Sequence, residues 1–225
     1  ADVEQLTTDV LPNLQYVFES IKLTKAALNN RVPLIGFAGA PWTIFSYMIE
    51  GKGSKTFSEA KKMLYVNPVL SHLLLDKITQ STISYLKEQI KNGADIVQVF
   101  DSWAGVLSKA QYIEFALPYM KKIADAITEV PLILFAKDAH YILNEFNNTN
   151  CSVIGLDWTI DPEKARREAP NKTLQGNLDP CVLYADKATI KKETEKMLQT
   201  FGNQRYICNL GHGVYPDVSF EKAKY

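Results

Sequence analysis

Gly36-Phe37-Ala38-Gly39-Ala40-Pro41-Trp42-Thr43 is the stretch on which the fold turns. It prolongs the apolar run Val32-Pro33-Leu34-Ile35, breaks at two glycines and restarts on a proline. A short apolar run bounded by such breaks reads as a buried strand. Pro41 suits the first turn of a helix, where a missing N–H costs nothing. Glycines at a strand end let backbone come close to a ligand or a neighbouring strand. The stretch therefore predicts a strand over Val32–Phe37, a tight turn, and a helix running through Tyr47 towards Gly51. On its own it is also an ordinary strand-to-helix turn.

The same event recurs down the chain. Strands are expected at Asp95–Phe100, Pro131–Phe135, Ser152–Leu156, Thr173–Gln175 and Tyr206–Asn209. Each stops at a polar or glycine-rich cluster: Asp101-Ser102-Trp103-Ala104-Gly105, Ala136-Lys137-Asp138-Ala139-His140, Asp157-Trp158-Thr159, Gly176-Asn177-Leu178-Asp179-Pro180 and Gly211-His212-Gly213. Helical patterns separate them, over Thr56–Leu64, Pro68–Lys91, Ala110–Thr128, a short segment ending near Phe146, Pro162–Glu168 and Lys187–Phe201. Residues 1–30 read as a helix or two, with an apolar face at Leu6, Val10, Leu14, Val17, Ile21 and Leu28. Strict alternation with near-continuous apolar strands is the mark of a parallel sheet covered by helices.

A doubly wound sheet gathers its ligand groups at one switch point, whereas a (β/α)8 barrel gathers them at the C-terminal ends of all its strands. A cluster at every strand end favours the α/β TIM barrel. The expected strands fall two short of its eight. The expectation is therefore one barrel domain over residues 1–225, N-terminally incomplete, with the first strands missing from this chain.

Composition narrows the function. Lys+Arg and Asp+Glu are equal at 25 each, so no global field recruits nucleic acid or an anionic membrane. No apolar run approaches the roughly 20 residues that span a bilayer. Cys151, Cys181 and Cys208 are widely spaced, with no CxxC or HxC pairing, and are expected to be buried free thiols. No P-loop, GxGxxG, GxSxG elbow or glycosidase-like carboxylate pair is present.

The strand-end candidates are Phe37, Gly39, Tyr47, Phe100, Asp101, Ser102, Lys137, Asp138, His140, Asp157, Asn177, Asp179 and His212. Asp157 and Asp179 precede helix starts and read equally well as caps. Tyr47, on a helix, reads equally well as core. His212, between two glycines, has little to pack against and suits a barrel mouth. His72, in the middle of a helical stripe, reads as structural. These residues give a mouth ringed by Tyr, Ser, His and Asp without naming a substrate.

In this order the clusters resemble the uroporphyrinogen decarboxylase family of haem biosynthesis. The resemblance rests on the opening stretch with Tyr47-Met48-Ile49-Glu50-Gly51, on Phe100-Asp101-Ser102-Trp103-Ala104-Gly105, on Phe115-Ala116-Leu117-Pro118-Tyr119, and on Phe135-Ala136-Lys137-Asp138. It continues through Gly155-Leu156-Asp157-Trp158-Thr159, Gln175-Gly176-Asn177-Leu178-Asp179-Pro180 and Asn209-Leu210-Gly211-His212-Gly213, covering essentially the whole chain. It implies a cytoplasmic, homodimeric lyase without metal or organic cofactor. Such an enzyme decarboxylates the four acetate arms of uroporphyrinogen III to give coproporphyrinogen III, a step of porphyrin biosynthesis. By resemblance, Tyr47, Ser102 and His212 are the catalytic residues, which hydrogen-bond substrate carboxylates or assist proton transfer. Phe37 and Phe100 line the apolar walls, and Gly39 offers backbone to a flat macrocycle.

The family's Arg-Gln-Ala-Gly-Arg segment and its pyrrole-binding aspartate have no counterpart in these residues. The chain is therefore expected to be a fragment, weakly active or inactive by itself, since scattered lysines do not replace bidentate arginines. Two other readings compete. A zinc methyltransferase of the same superfamily needs a His-x-Cys pair, yet His140 and His212 are followed two residues later by Ile142 and Val214. A non-catalytic barrel that binds tetrapyrroles or a partner chain is the other.

Overall fold

Six parallel strands, hydrogen-bonded in chain order, carry the architecture: β1 (Ile35–Gly39), β2 (Ile96–Asp101), β3 (Leu132–Ala136), β4 (Val153–Gly155), β5 (Thr173–Leu178) and β6 (Tyr206–Leu210). The computed structural model describes residues 2–225. A doubly wound sheet reverses its strand order at the switch point, but here each strand joins the next by a crossover to its neighbour, as in a barrel. Register carries the inward positions round the wall: Phe37 opposes Gln98, Phe100 opposes Phe135, Phe135 opposes Gly155, and Gly155 opposes Gln175.

The helices are α1 (Asp2–Gln5), α2 (Gln15–Leu28), α3 (Pro41–Glu50), α4 (Ser58–Val66), α5 (Pro68–Lys91), α6 (Lys109–Phe115), α7 (Leu117–Ala126), α8 (Leu143–Asn147), α9 (Pro162–Glu168), α10 (Lys187–Phe201) and α11 (Phe220–Lys224). The core lies between sheet and helices. α5 buries Leu74, Leu75, Ile78 and Leu86, and α3 buries Trp42 and Phe45. Among the described residues, no helix is long and apolar enough to cross a membrane.

Three local expectations are corrected. The first strand begins at Ile35 and ends at Gly39, so both glycines of the opening stretch lie within it, and Val32 is exposed. The reason is Gln89 of α5. Its side chain accepts from the Phe37 N–H at 3.0 Å and donates to the Phe37 carbonyl at 2.9 Å, standing in for a neighbouring strand. A Cβ on Gly36 would lie 2.6 Å from Gln89 Oε1, so only glycine admits this contact. The helix expected over Ala110–Thr128 is two helices, parted at Ala116 (φ −123°, ψ −53°), because Pro118 lacks an N–H and sits best in a first turn. A capping box between Ser108 and Gln111 starts the first of them. Finally, only Cys151 is a buried thiol. Cys181 and Cys208 are exposed, Cys181 just beyond a strand-end turn and Cys208 on β6.

Candidate functional site

The opening stretch clamps the loop after β2. The Ala40 N–H donates to Phe100 O at 2.8 Å, and Pro41 then starts α3. From the first turn of α3, Thr43 Oγ1 donates to Asp101 Oδ1 at 2.7 Å and accepts from the Trp103 N–H at 3.4 Å. Trp42 Nε1 donates to Trp103 O at 3.0 Å. Ser102 is thus held between two anchored neighbours. Tyr47, one turn further along α3, meets Trp103 and Phe57 edge to face, with ring centroids 6.2 and 5.8 Å apart.

Asp101 itself points away from the mouth and is fully buried. Burial pushes its carboxyl up to about 6, against the lowering effect of the Thr43 hydrogen bond. Asp101 Oδ2 and the neighbouring Tyr112 hydroxyl are both buried without a hydrogen-bond partner among the described residues. Burial, and then the charge of Asp101, raise the Tyr112 phenol well above its ordinary value.

A cavity of about 420 Å³ opens at the C-terminal ends of the strands. Phe100, Ser102 and His212 all line it, joined by Gln98, Phe135, Gln175 and Asn209. One wall is aromatic: Phe37 meets Phe100 edge-on at 5.9 Å, and Phe100 meets Phe135 at 5.8 Å. Gly155 lets the Phe135 ring lie across β4, since a Cβ there would come within 3.0 Å of it. The opposite side is polar. His212 reaches it because Gly211 packs on the Asp157–Trp158 backbone so closely that a Cβ would sit 2.3 Å from Trp158 N. The His212 ring then rests against Trp158 at 6.0 Å, and Lys137 Nζ lies 5.5 Å from the Trp158 ring centre.

The structure divides the sequence candidates. Phe100, Ser102 and His212 meet in one cavity, and Phe37 extends its wall while staying 62% exposed. Tyr47 is outside that lining. Gly39 borders a different, apolar cavity of about 310 Å³, formed with Leu6, Val10, Met48 and Tyr85. The remaining polar candidates are engaged within the protein, three on backbone and three on side chains. Asp157 accepts from the Asp138 and Thr159 N–H groups at 2.6 and 2.8 Å, and Asn177 donates to Asp157 O and Ile160 O at 2.8 and 2.9 Å. Asp179 caps the Cys181 N–H at 2.8 Å. His140 Nε2 bonds Thr159 Oγ1 at 2.5 Å, while Lys137 pairs with Asp138 at 2.9 Å. His72 is packed on the outside, stacked on Phe115 at 4.7 Å.

Among the described residues, no three His, Cys, Asp or Glu side chains gather as a metal-binding group. Gln98, Phe135, Gln175 and Asn209 are not among the site residues expected from the sequence, although the last three open motifs quoted above. Gln98 is legible too, because it lies two residues before Phe100 and strand side chains alternate faces.

The uroporphyrinogen decarboxylase family model matches residues 1–225. The chain is 47% identical over 229 residues to a uroporphyrinogen decarboxylase of Vesicomyosocius okutanii, covering 99% of this chain and 66% of that protein. It is 49% identical over 234 residues to one of Danio rerio, covering 99% and 63%. The chain thus spans a little under two thirds of these relatives' length. A methyltransferase structure from Methanosarcina mazei superimposes with a TM-score of 0.85 at 19% identity, covering 99% of this chain and 66% of that one, a likeness of fold.

Proposed function

The chain belongs to the uroporphyrinogen decarboxylase family, and on that premise we propose that its cleft serves a carboxy-lyase acting on uroporphyrinogen III. The reaction removes carbon dioxide from the four acetate arms and yields coproporphyrinogen III. The observation that carries this reading is the single cavity joining Phe100, Ser102 and His212, with an aromatic wall facing a polar one. A reduced tetrapyrrole with carboxylate arms has the same division of apolar ring and polar rim.

The chemistry asks little of the protein beyond placement and proton management. A pyrrole ring carbon takes a proton, leaving a cationic imine-like ring. The C–CO2 bond of the acetate arm then breaks and its electron pair flows into that ring. The enamine so formed takes a second proton on the exocyclic carbon, and the ring carbon gives back the first, which restores the pyrrole. The ring is its own electron sink. Phe37, Phe100 and Phe135 cover the ring face and exclude water. Ser102 and His212 hydrogen-bond the arms, His212 also being able to carry a proton. Tyr47, the third residue that the resemblance implies, stands beside Trp103 and outside the cavity's lining. In the same reading the 225 residues are one domain of a cytoplasmic homodimer that uses no metal or organic cofactor.

Anaerobic incubation of the full-length protein that carries these residues with uroporphyrinogen III, followed by oxidation and separation by carboxyl number, tests the reading. Seven-, six-, five- and four-carboxyl porphyrins are expected, in amounts that fall on Ser102→Ala or His212→Ala. An unchanged eight-carboxyl pool beside a working control decarboxylase refutes the activity for this chain.

A further inference from the structure

The floor of the cavity holds two side chains that the chemistry above leaves unused. Gln98 on β2 and Gln175 on β5 are 77 residues apart, yet Gln175 Nε2 donates to Gln98 Oε1 at 3.2 Å across the barrel interior. They are 5% and 4% exposed, and both line the cavity with Phe100, Ser102 and His212. Their bond consumes one N–H and one carbonyl. Among the described residues, neither side chain makes any other hydrogen bond, so the Gln98 amino group and the Gln175 carbonyl are left to the cavity. Turning either amide changes which residue offers which group, but pairing always leaves one NH2 and one C=O. Neither free group is sealed off from the cavity, so each is open to a ligand that enters it.

We propose that this amide pair recognises a carboxylate arm of the bound tetrapyrrole, with Gln98 touching the arm and Gln175 orienting Gln98. The inference rests on the functional reading above and adds to it the floor of the same site. A carboxylate is acceptor-only and suits a free NH2. A neutral donor holds it without burying a lysine or arginine that would be uncompensated whenever the cavity is empty. Gln175 is a positioning residue: its bond to Gln98 Oε1 fixes the plane of the Gln98 amide, which otherwise turns about a broad terminal torsion.

The probe is uroporphyrin III, the stable oxidised octacarboxylate, titrated against the tryptophan fluorescence of the full-length protein that carries these residues, since Trp158 lies beside His212. Gln98→Leu should weaken the Kd by about tenfold to a hundredfold, the range for a hydrogen bond to a charged group. Gln175→Leu should weaken it less, and should add nothing in the Gln98→Leu background. Gln98→Glu, measured above neutral pH, should weaken binding at least as much as Gln98→Leu by repelling the arm. Gln98→Met replaces Gln98→Leu if the latter does not fold. Wild-type affinity in Gln98→Leu, alongside weakened binding in Ser102→Ala, overturns the inference and leaves the functional reading standing. Tighter binding by Gln98→Glu overturns it too, because the floor would then be reading an N–H donor. Failure of the unaltered protein to bind the octacarboxylate overturns both.

Discussion

Replacing Asp101 by asparagine should remove a pH dependence that the fold imposes on itself. The carboxyl is fully buried behind the Ser102 loop, and burial lifts it from the ordinary 3.8 to about 6. The folded protein therefore holds this proton more tightly than the unfolded chain does. Its contribution to stability is fully present below 3.8 and is lost as pH rises through about 6. Two pH units at about 1.4 kcal/mol each give about 3 kcal/mol between the two limits. Asparagine keeps the acceptor for Thr43 Oγ1 and carries no charge, so it should be indifferent over the same window. The assay is urea denaturation of both proteins from pH 4 to pH 8, followed by tryptophan fluorescence. Asp76, Asp95, Glu129 and Asp186, whose carboxyls are held below their usual range by hydrogen bonds, tilt both curves the opposite way and cancel in the difference. Because the unfolded carboxyl is already partly ionised at pH 4, the variant should gain about 2 kcal/mol on the wild type across that range. Two curves that stay parallel within about 0.5 kcal/mol refute the reasoning.

Thr43→Val should destabilise more at pH 8 than at pH 5, because it removes the donor that eases the ionised Asp101; denaturation at the two values checks it. Gln89→Leu strands both the N–H and the C=O of Phe37, so a loss of about 2–4 kcal/mol is expected. Hydrogen exchange should also speed up at the Phe37 amide. Gly211→Ala puts a Cβ against the Trp158 backbone and should cost on the order of 1–3 kcal/mol while weakening porphyrin binding. Unchanged binding there would mean that the His212 turn does not define the mouth.

Much of this molecule is legible from local pattern. Side-chain periodicity and punctuation by Gly and Pro depend on near neighbours in the chain, so all six strands and their terminal clusters could be read from residue order. Even the barrel sense followed, from a cluster at every strand end. The misplacements arose where distant residues intervene: Gln89 draws Gly36 into β1, and Pro118 divides a helix that apolar spacing alone would join. Ser102 and His212 could be named from motifs and expected at one mouth, but the exclusion of Tyr47 and Gly39 from the cavity's lining could not be read there.

Asp101 illustrates the boundary. Residue order places a carboxylate at a strand end, which suggests a ligand-facing group. Alternation turns it to the opposite face from Phe100, into the layer under α3, and there burial rather than a ligand governs its charge. The Gln98–Gln175 pair lies wholly on the tertiary side, because two strands separate β2 from β5 and only curvature of the sheet brings their inward side chains within 3.2 Å. Local sterics and side-chain alternation set the strands, their order and the polar residues at their ends. Which of those residues share a cavity was decided by the closing curve of the sheet, whose contacts no local pattern encodes.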